Sequence, residues 1–301
     1  MTQERVDSFL LQRSVDYLIP KILDAQFPEL KAAEHIPVAY DGGPGAETIS
    51  QLIIEYAGRA QVTSTPGKNP PLVGLLSNGL NSSVVRSVEC AFEVHFQEAR
   101  AAAMAGVAVS DKKGMAAREI VERDGNRLAY LGDQASGIYG LFTFPLLPKV
   151  ISAVRFDDPA VSPAVLLENL NAWSNLLYNT ITRKVIRPNA VLMPSEVRTK
   201  LDTTYRSDHS DTTLMTLWRD SNKYIEYVDD VAEADEAGFD GTPAMIFYRK
   251  DPEYVSWYVP QPTEVLTQHE SETSRTMLVH QRNAGAFFHR LSAIIIEGVL
   301  G

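Results

Sequence analysis

Apolar residues recur at helical spacing over only a few stretches of this chain, and the longest covers about 21 residues after Ser110. Ala117, Ile120, Val121, Asp124, Leu128 and Leu131 fall at helical spacing, with Arg118, Glu119, Glu122, Arg123 and Arg127 on the other flanks. One side is expected to pack and the rest to stay wet. Ser110 is a candidate N-cap, and Gly132 follows the last apolar residue, where a left-handed C-cap needs no Cβ. At 1.5 Å per residue such a helix is roughly 32 Å long, comparable to a small domain. Nothing else in the chain is patterned to bundle with it at full length, so it predicts a spine in a flat, elongated subunit.

On either side of this spine the pattern differs. Residues 2–34 read as a mostly helical arm, with apolar faces from Val6, Phe9, Leu10, Val15, Leu18, Ile19, Ile22 and Leu23 interrupted by Pro20 and Pro28. An arm this short has little core of its own and docks either on its own body or on a neighbour. From Ile36 to Val85 the texture is strand and turn. Ile49 to Thr65 carries apolar, aromatic and β-branched residues, flanked by Asp41-Gly42-Gly43-Pro44-Gly45 and by Pro66-Gly67-Lys68-Asn69-Pro70-Pro71. Long β arms of this kind expose edges that a neighbour usually covers.

Ser162-Pro163 opens a second helix, expected to run to about Val185, with a stripe of Leu166, Leu170, Trp173, Leu177 and Ile181. A strand at Ala190–Met193, helices at Ser195–Tyr205 and Asp211–Trp218 and a strand at Tyr224–Val228 follow, alternating as in an α/β unit. The acidic run from Asp229 to Glu236 matches no calcium loop and reads as a solvated loop. Ala244–Tyr248, Tyr254–Val259 and Met277–Ile296 are extended, with Asp251-Pro252 and Asn283-Ala284-Gly285 as turns. If the last strands return to the spine helix, residues 151–250 are an insertion between two halves of one domain.

Composition narrows the chemistry. With 28 basic against 38 acidic residues the net charge is -10, which argues against a protein that works by neutralising phosphates and allows a container that faces nucleic acid without gripping it. Cys90 is the single cysteine, so intramolecular disulfides and Cys-rich zinc sites are excluded and a reducing setting is expected. No signal-peptide core or membrane-length apolar run is present, which predicts a soluble protein made and used inside a cell. Gly74-Leu75-Leu76-Ser77-Asn78-Gly79 has one residue too many before the serine for a nucleophile elbow, and Gly42-Gly43-Pro44-Gly45 lacks the Gly-Lys-Ser/Thr of a phosphate loop. His35, His95, His209, His269, His280 and His289 are scattered without metal-ligand spacing, and His280 and His289 could face solvent or a neighbour. Asp208-His209-Ser210-Asp211 reads as a loop capping the next helix. Met104 and Met115 read as gap fillers. No carboxylate pair can be nominated for acid/base work, and no catalytic, cofactor-binding or metal-binding residue is assigned.

Both the order of these elements and one run within it resemble the major capsid proteins of tailed phages, the Johnson fold shared with encapsulin shells. The run is Glu98-Ala99-Arg100-Ala101-Ala102, the spine helix, Ala129-Tyr130-Leu131-Gly132-Asp133, and Ile138-Tyr139-Gly140-Leu141-Phe142-Thr143-Phe144-Pro145. In one capsid branch a helix ending in Leu-Gly-Asp leads into a Gly-Leu-Leu-Asn-x-Pro type segment; here Phe142-Thr143-Phe144 replaces part of it. The helix from Pro163 and the Val191-Leu192-Met193-Pro194 strand sit where that branch places them.

This resemblance implies an α+β Johnson-type capsid fold: an N-terminal arm at 1–35, an extended β loop at 36–88, a spine-helix peripheral domain at 89–150 with 255–301, and an inserted α/β axial domain at 151–254. It implies a shell of many copies, as hexamers and pentamers, forming the icosahedral head of a tailed bacteriophage. The head would enclose double-stranded DNA without sequence-specific binding, with portal, decoration and scaffolding proteins as further partners and no membrane. Assembly would take place in the bacterial host cytoplasm, and the product would be a virion. Ile53, Ile54, Tyr56, Arg59 and Val62 of the loop, with Phe9 and Leu10 of the arm, are the candidate inter-subunit contacts. Some members of the fold cross-link a loop lysine; Lys68 is the only lysine in this loop, and that chemistry is not carried over. An encapsulin-type compartment with an enzyme cargo, or a soluble α/β enzyme built on 151–254, are the alternatives.

Overall fold

A computed structural model describes residues 29–58, 72–105, 109–207 and 211–300. Along the chain, helix α1 (Ala32–His35) and strand β1 (Val38–Ala39) lead into a two-stranded antiparallel ribbon of β2 (Thr48–Ala57) and β3 (Gly74–Val84). Strand β4 (Arg86–His95), helices α2 (Phe96–Ala105) and α3 (Val109–Tyr130), and strands β5 (Gly132–Asp133), β6 (Ile138–Tyr139) and β7 (Lys149–Ile151) follow. Then come α4 (Pro163–Leu176), β8 (Ala190–Met193), α5 (Ser195–Thr203), α6 (Leu214–Ser221) and β9 (Tyr227–Asp230). The chain closes with β10 (Ala244–Tyr248), β11 (Val255–Tyr258), β12 (Gln261–Glu270), β13 (Ser274–Asn283), β14 (Gly285–Phe288) and β15 (Ala293–Glu297).

The spine is α3, 22 residues long. Ser110 lies inside it rather than at its cap. Its C-terminus matches the expectation from the Leu-Gly-Asp stop, because Gly132 is left-handed at φ 67. The orphan carbonyls of the last turn are taken up by the returning chain: Leu141 N–H donates to Ala129 at 2.8 Å, Phe142 N–H to Tyr130 at 2.9 Å, and the Thr143 hydroxyl to Leu131 at 2.7 Å. That crossing is so close that a Cβ on Gly140 would sit 2.3 Å from the Tyr130 carbonyl oxygen. The run Leu-Gly-Asp to Tyr-Gly-Leu-Phe-Thr is therefore a backbone-built helix cap. The buried face differs from the expected stripe. Ala117, Val121, Gly125 and Ala129 point inward while Ile120 is 39% exposed, since small residues let the helix lie close on β4 and β13.

Two five-stranded sheets and one three-stranded sheet carry the rest, in the orders β1-β11-β14-β6-β5, β7-β15-β10-β8-β9 and β12-β13-β4. In the second of these, β8, β10 and β15 are buried on both faces, which fits their uninterrupted apolar sequences. Ala190, Leu192, Ala244, Ile246, Tyr248, Ala293 and Ile295 face a core shared with Tyr130, Leu141, Phe142, Phe144, Trp257 and Phe287. Val191, Met193, Met245, Phe247, Ile294 and Ile296 face the opposite core, under Leu166, Leu170 and Trp173 of α4, Val197 and Leu201 of α5, and Trp218 of α6.

Several expectations shift. The helix from Pro163 ends in a π turn at Leu177–Ile181, short of Val185, and Arg183 and Lys184 turn left-handed. The acidic run is a solvated loop only in part: Asp229 and Asp230 belong to β9, and Ala232–Glu236 is a 3-10 turn anchored by fully buried Ala234 that leaves Asp235 and Glu236 exposed. The strand expected at Tyr224–Val228 is β9, displaced because Ile225 N–H is tied to the Asn222 carbonyl in a turn. Met104 and Met115 fill no gaps, at 92% and 72% exposed. Within 255–301, the last strand leaves its companions: β15 pairs with β10 of the 151–254 segment and with β7 (Lys149–Ile151) at its boundary.

Candidate assembly interface

The point where the segment from Glu29 enters the body is a polar junction of four elements, α1, α3, β9 and β10. His35 on α1 is 6% exposed. Its Nε2 lies 3.1 Å from Asp229 Oδ2 on β9 and its Nδ1 2.6 Å from the Tyr130 hydroxyl at the end of α3. The Asp229 carboxylate only accepts, so Nε2 carries the proton and Nδ1 accepts from Tyr130. Burial drives the Tyr130 hydroxyl's pKa well up, keeping it a donor. Tyr248 O–H donates to the His35 carbonyl at 2.8 Å, Lys31 reaches Asp229 at 3.3 Å, and Asn126 of α3 accepts from Ala32 N–H while donating to Glu233. Burial lowers the His35 pKa against the opposing pull of Asp229. Asp229 is itself held low: its burial is outweighed by the Asp230 N–H, His35 and Lys31. A cleft of about 520 Å³ opens beside this junction between Lys31, Arg123, Arg127, Tyr130, Asp230 and Glu233.

Opposite in character is the β2–β3 ribbon. Its strands pair from Thr48 with Val84 to Ala57 with Gly74, with a bulge between Ile53 and Ile54. Its base is tied to the body: buried Ser83 donates to the Ala284 carbonyl at 2.8 Å, Asn81 to Phe288 at 3.3 Å, and Gln51 meets His289 Nδ1 at 3.0 Å. Farther out, Leu52, Leu72 and Val73 are 55%, 88% and 72% exposed. A two-stranded ribbon is marginal in water by itself. Gly74 to Gly79 lies within β3, so its serine sits on extended chain and not on a strand-to-helix elbow. Among the described residues no group of three His, Cys, Asp or Glu side chains is placed to hold a metal. Nor do those residues include a helix long and apolar enough to cross a membrane.

The comparison with protein families settles what this architecture belongs to, for residues 58–297 match the model of the family described as Major capsid protein. The chain belongs to the major capsid protein family. No curated protein matches it in sequence. Its fold is similar to the capsid of Myoviridae phage XM1, at 15% identity and a TM-score of 0.81 over 95% of this chain and 97% of that one. It is also similar to Mycobacterium phage Bobi, at 11% identity and 0.65 over 96% and 97%. The virus-like particle from Pyrococcus furiosus is more distant in shape, at 14% identity and 0.56 over 88% and 91%. The α+β capsid fold implied by the spine-helix run is thus the fold of this capsid protein.

In the capsid protein the candidate contact residues divide. Ile53, Ile54 and Tyr56 lie on β2, opposite Gly79, Ser77 and Leu75. Arg59, Val62, Phe9 and Leu10 lie outside the described residues. Sequence reasoning passed over Ile151, Val185 and Phe239, which are 80%, 76% and 73% exposed. Ile151 and Val185 each pair with one apolar neighbour, Val150 and Ile186, and Phe239 stands between Gly238 and Asp240, runs too short to give a periodic signal.

Proposed function

We propose that this capsid protein is the repeating shell subunit of a tailed-phage head, assembling as hexamers and pentamers around double-stranded DNA and carrying no enzymatic activity. The β2–β3 ribbon carries this reading: its ladder runs on from a base held by Gln51, Asn81 and Ser83 to exposed Leu72 and Val73, an arrangement that suits covering by a second copy. Reach over a neighbour makes a heterologous contact, which closes into rings. We assign the ribbon region 36–88 to the extended loop, 89–150 with 255–292 to a peripheral unit, and 151–254 with β15 to an axial unit. Ile53, Ile54, Tyr56, Arg59, Val62, Phe9 and Leu10 remain our candidates for the inter-copy contact. The net charge of -10 suits a wall that must not trap DNA during packing or ejection. Assembly in the bacterial cytoplasm, and portal, decoration and scaffolding partners, belong to the same proposal.

Electron microscopy of the purified full chain tests it. Closed shells of many copies are expected, and particles from the native host should carry nuclease-protected double-stranded DNA. A persistent monomer at native salt would overturn the reading. A co-purified enzyme cargo in place of DNA would move it to the encapsulin-type compartment.

A further inference from the structure

Two exposed loops sit at opposite ends of the axial sheet. Strands β8 and β9 run parallel, with Ala190 opposite Tyr227 and Met193 opposite Asp230. The loop Thr182–Arg187 enters β8 at one end; the segment from Ala232 to Gly241 leaves β9 at the other, about 13 Å away along four residues of strand. Among the described residues, the non-glycine positions with positive φ are Arg183 at 50, Lys184 at 69 and Asp240 at 54, all three in these two loops.

The first loop is basic and rigid. Thr182 Oγ1 donates to the Leu177 carbonyl at 2.9 Å and accepts from Ile186 N–H at 3.1 Å. The Arg187 guanidinium lies between the rings of Tyr178 and Tyr224, at 4.3 and 4.7 Å. Clamped this way, the turn presents Arg183, Lys184 and Val185 outward, all exposed. The second loop has the opposite sign: Asp235, Glu236, Phe239 and Asp240 are all exposed. The Asp235 carboxyl is raised first by partial burial and then by the neighbouring Glu196, Glu236 and Asp230. An apolar side chain tops each loop, Val185 at 76% and Phe239 at 73% exposed.

We propose that the basic loop Thr182–Arg187 of one copy docks on the acidic segment Asp235–Asp240 of the next, joining axial units head to tail. Local left-handed backbone that is over-determined by its surroundings is a mark of a recognition site. Here the two strained turns carry opposite charge and a matching apolar tip. Their placement at opposite ends of one sheet makes the contact heterologous, so that repetition closes a ring and not a two-fold dimer. Charge pairing of this sort sets partner register and orientation. The inference rests on the shell-subunit reading above and supplies one of its contacts.

A charge-exchange experiment on the full chain tests it, with sedimentation and electron microscopy reading the assembled fraction and circular dichroism confirming the fold. The variants are Arg183→Glu with Lys184→Glu, Asp235→Lys with Glu236→Lys, and all four together. Each double reversal is expected to lower the assembled fraction about tenfold, and the quadruple variant to recover to within about threefold of wild type. If either double variant loses its fold, the single exchanges Lys184→Glu and Glu236→Lys are compared in the same way. Double variants that assemble like wild type overturn the docking proposal and leave the shell reading standing, as does a folded quadruple variant that fails to recover. Wild-type protein that never assembles overturns both.

Discussion

His35 is a base held neutral among charged groups, and the reason is burial. Lys31 and Glu34 come from its own helix, Asp229 from β9, Tyr130 from α3, and Tyr248 and Lys250 from β10 and its end. Asp229 favours the charged ring, while desolvation, Lys250 and Lys31 oppose it, and the folded pKa lies below 6.5. A histidine whose folded pKa is depressed contributes stability that is complete above its unfolded value and is lost as pH falls below it. His289, lowered by burial, acts in the same sense, whereas the depressed Asp229 gives up its share only below 3.8. The unassembled subunit is therefore expected to have a lower denaturant midpoint at about pH 5.5 than at about pH 7.5. His35→Asn should flatten that difference and His289 keep the remainder; a His35→Asn protein with the full wild-type slope would remove His35 from the account. Tyr130→Phe leaves Nδ1 without a donor and should lower stability by about 1–3 kcal/mol at neutral pH, read from the same denaturation curves.

At the scale of elements, the ribbon and the sheets differ in where their stability comes from. Leu72 and Val73 are 88% and 72% exposed beside the start of β3, so Leu72→Asp with Val73→Asp should change subunit stability by no more than about 0.5 kcal/mol per site. The same pair should reduce shell yield, measured by sedimentation, if a second copy covers this apolar tip as proposed; unchanged yield would place the neighbour's contact elsewhere on the ribbon. The same division explains what could be read in advance. Ala244–Tyr248 and Ala190–Met193 were legible because both faces of each strand are buried and every residue is apolar. Strand β12 was missed because Gln261–Glu270 is an edge strand with polar residues throughout and Val265 and Leu266 exposed. The inner stripe of α3 was misread because Gly125 and Ala129 are buried on it, and small residues carry little hydrophobic signal. The return of β15 to the sheet of β8 and β10 was not visible either, since a ladder that pairs Tyr248 with Ala293 and Ala244 with Glu297, far apart in sequence, leaves no local pattern. Of the contact candidates, the sequence located β2 as a strand but could not choose among its faces, which depends on a partner's surface.

For the whole molecule, the sheet β7-β15-β10-β8-β9 is a wall shared by two cores. Along β15, Ile295 packs toward Tyr130, Phe142 and Trp257, and the adjacent Ile294 packs toward Trp218 and α4. Neither core can lose its wall without exposing the other, because alternate residues of the same strands serve both. The two cores are therefore expected to unfold together, unlike domains joined by linkers. Ile294→Ala and Ile295→Ala each remove a fully buried side chain and should each cost about 2–5 kcal/mol. Both should move one common midpoint, seen alike by far-ultraviolet circular dichroism and, in a Trp257→Phe background, by the fluorescence of Trp173 and Trp218 on the helical side. If Ile294→Ala shifted the fluorescence transition while the dichroism transition stayed in place, the two cores would be independent. In that case the ribbon and spine would stand as a unit apart from the axial sheet.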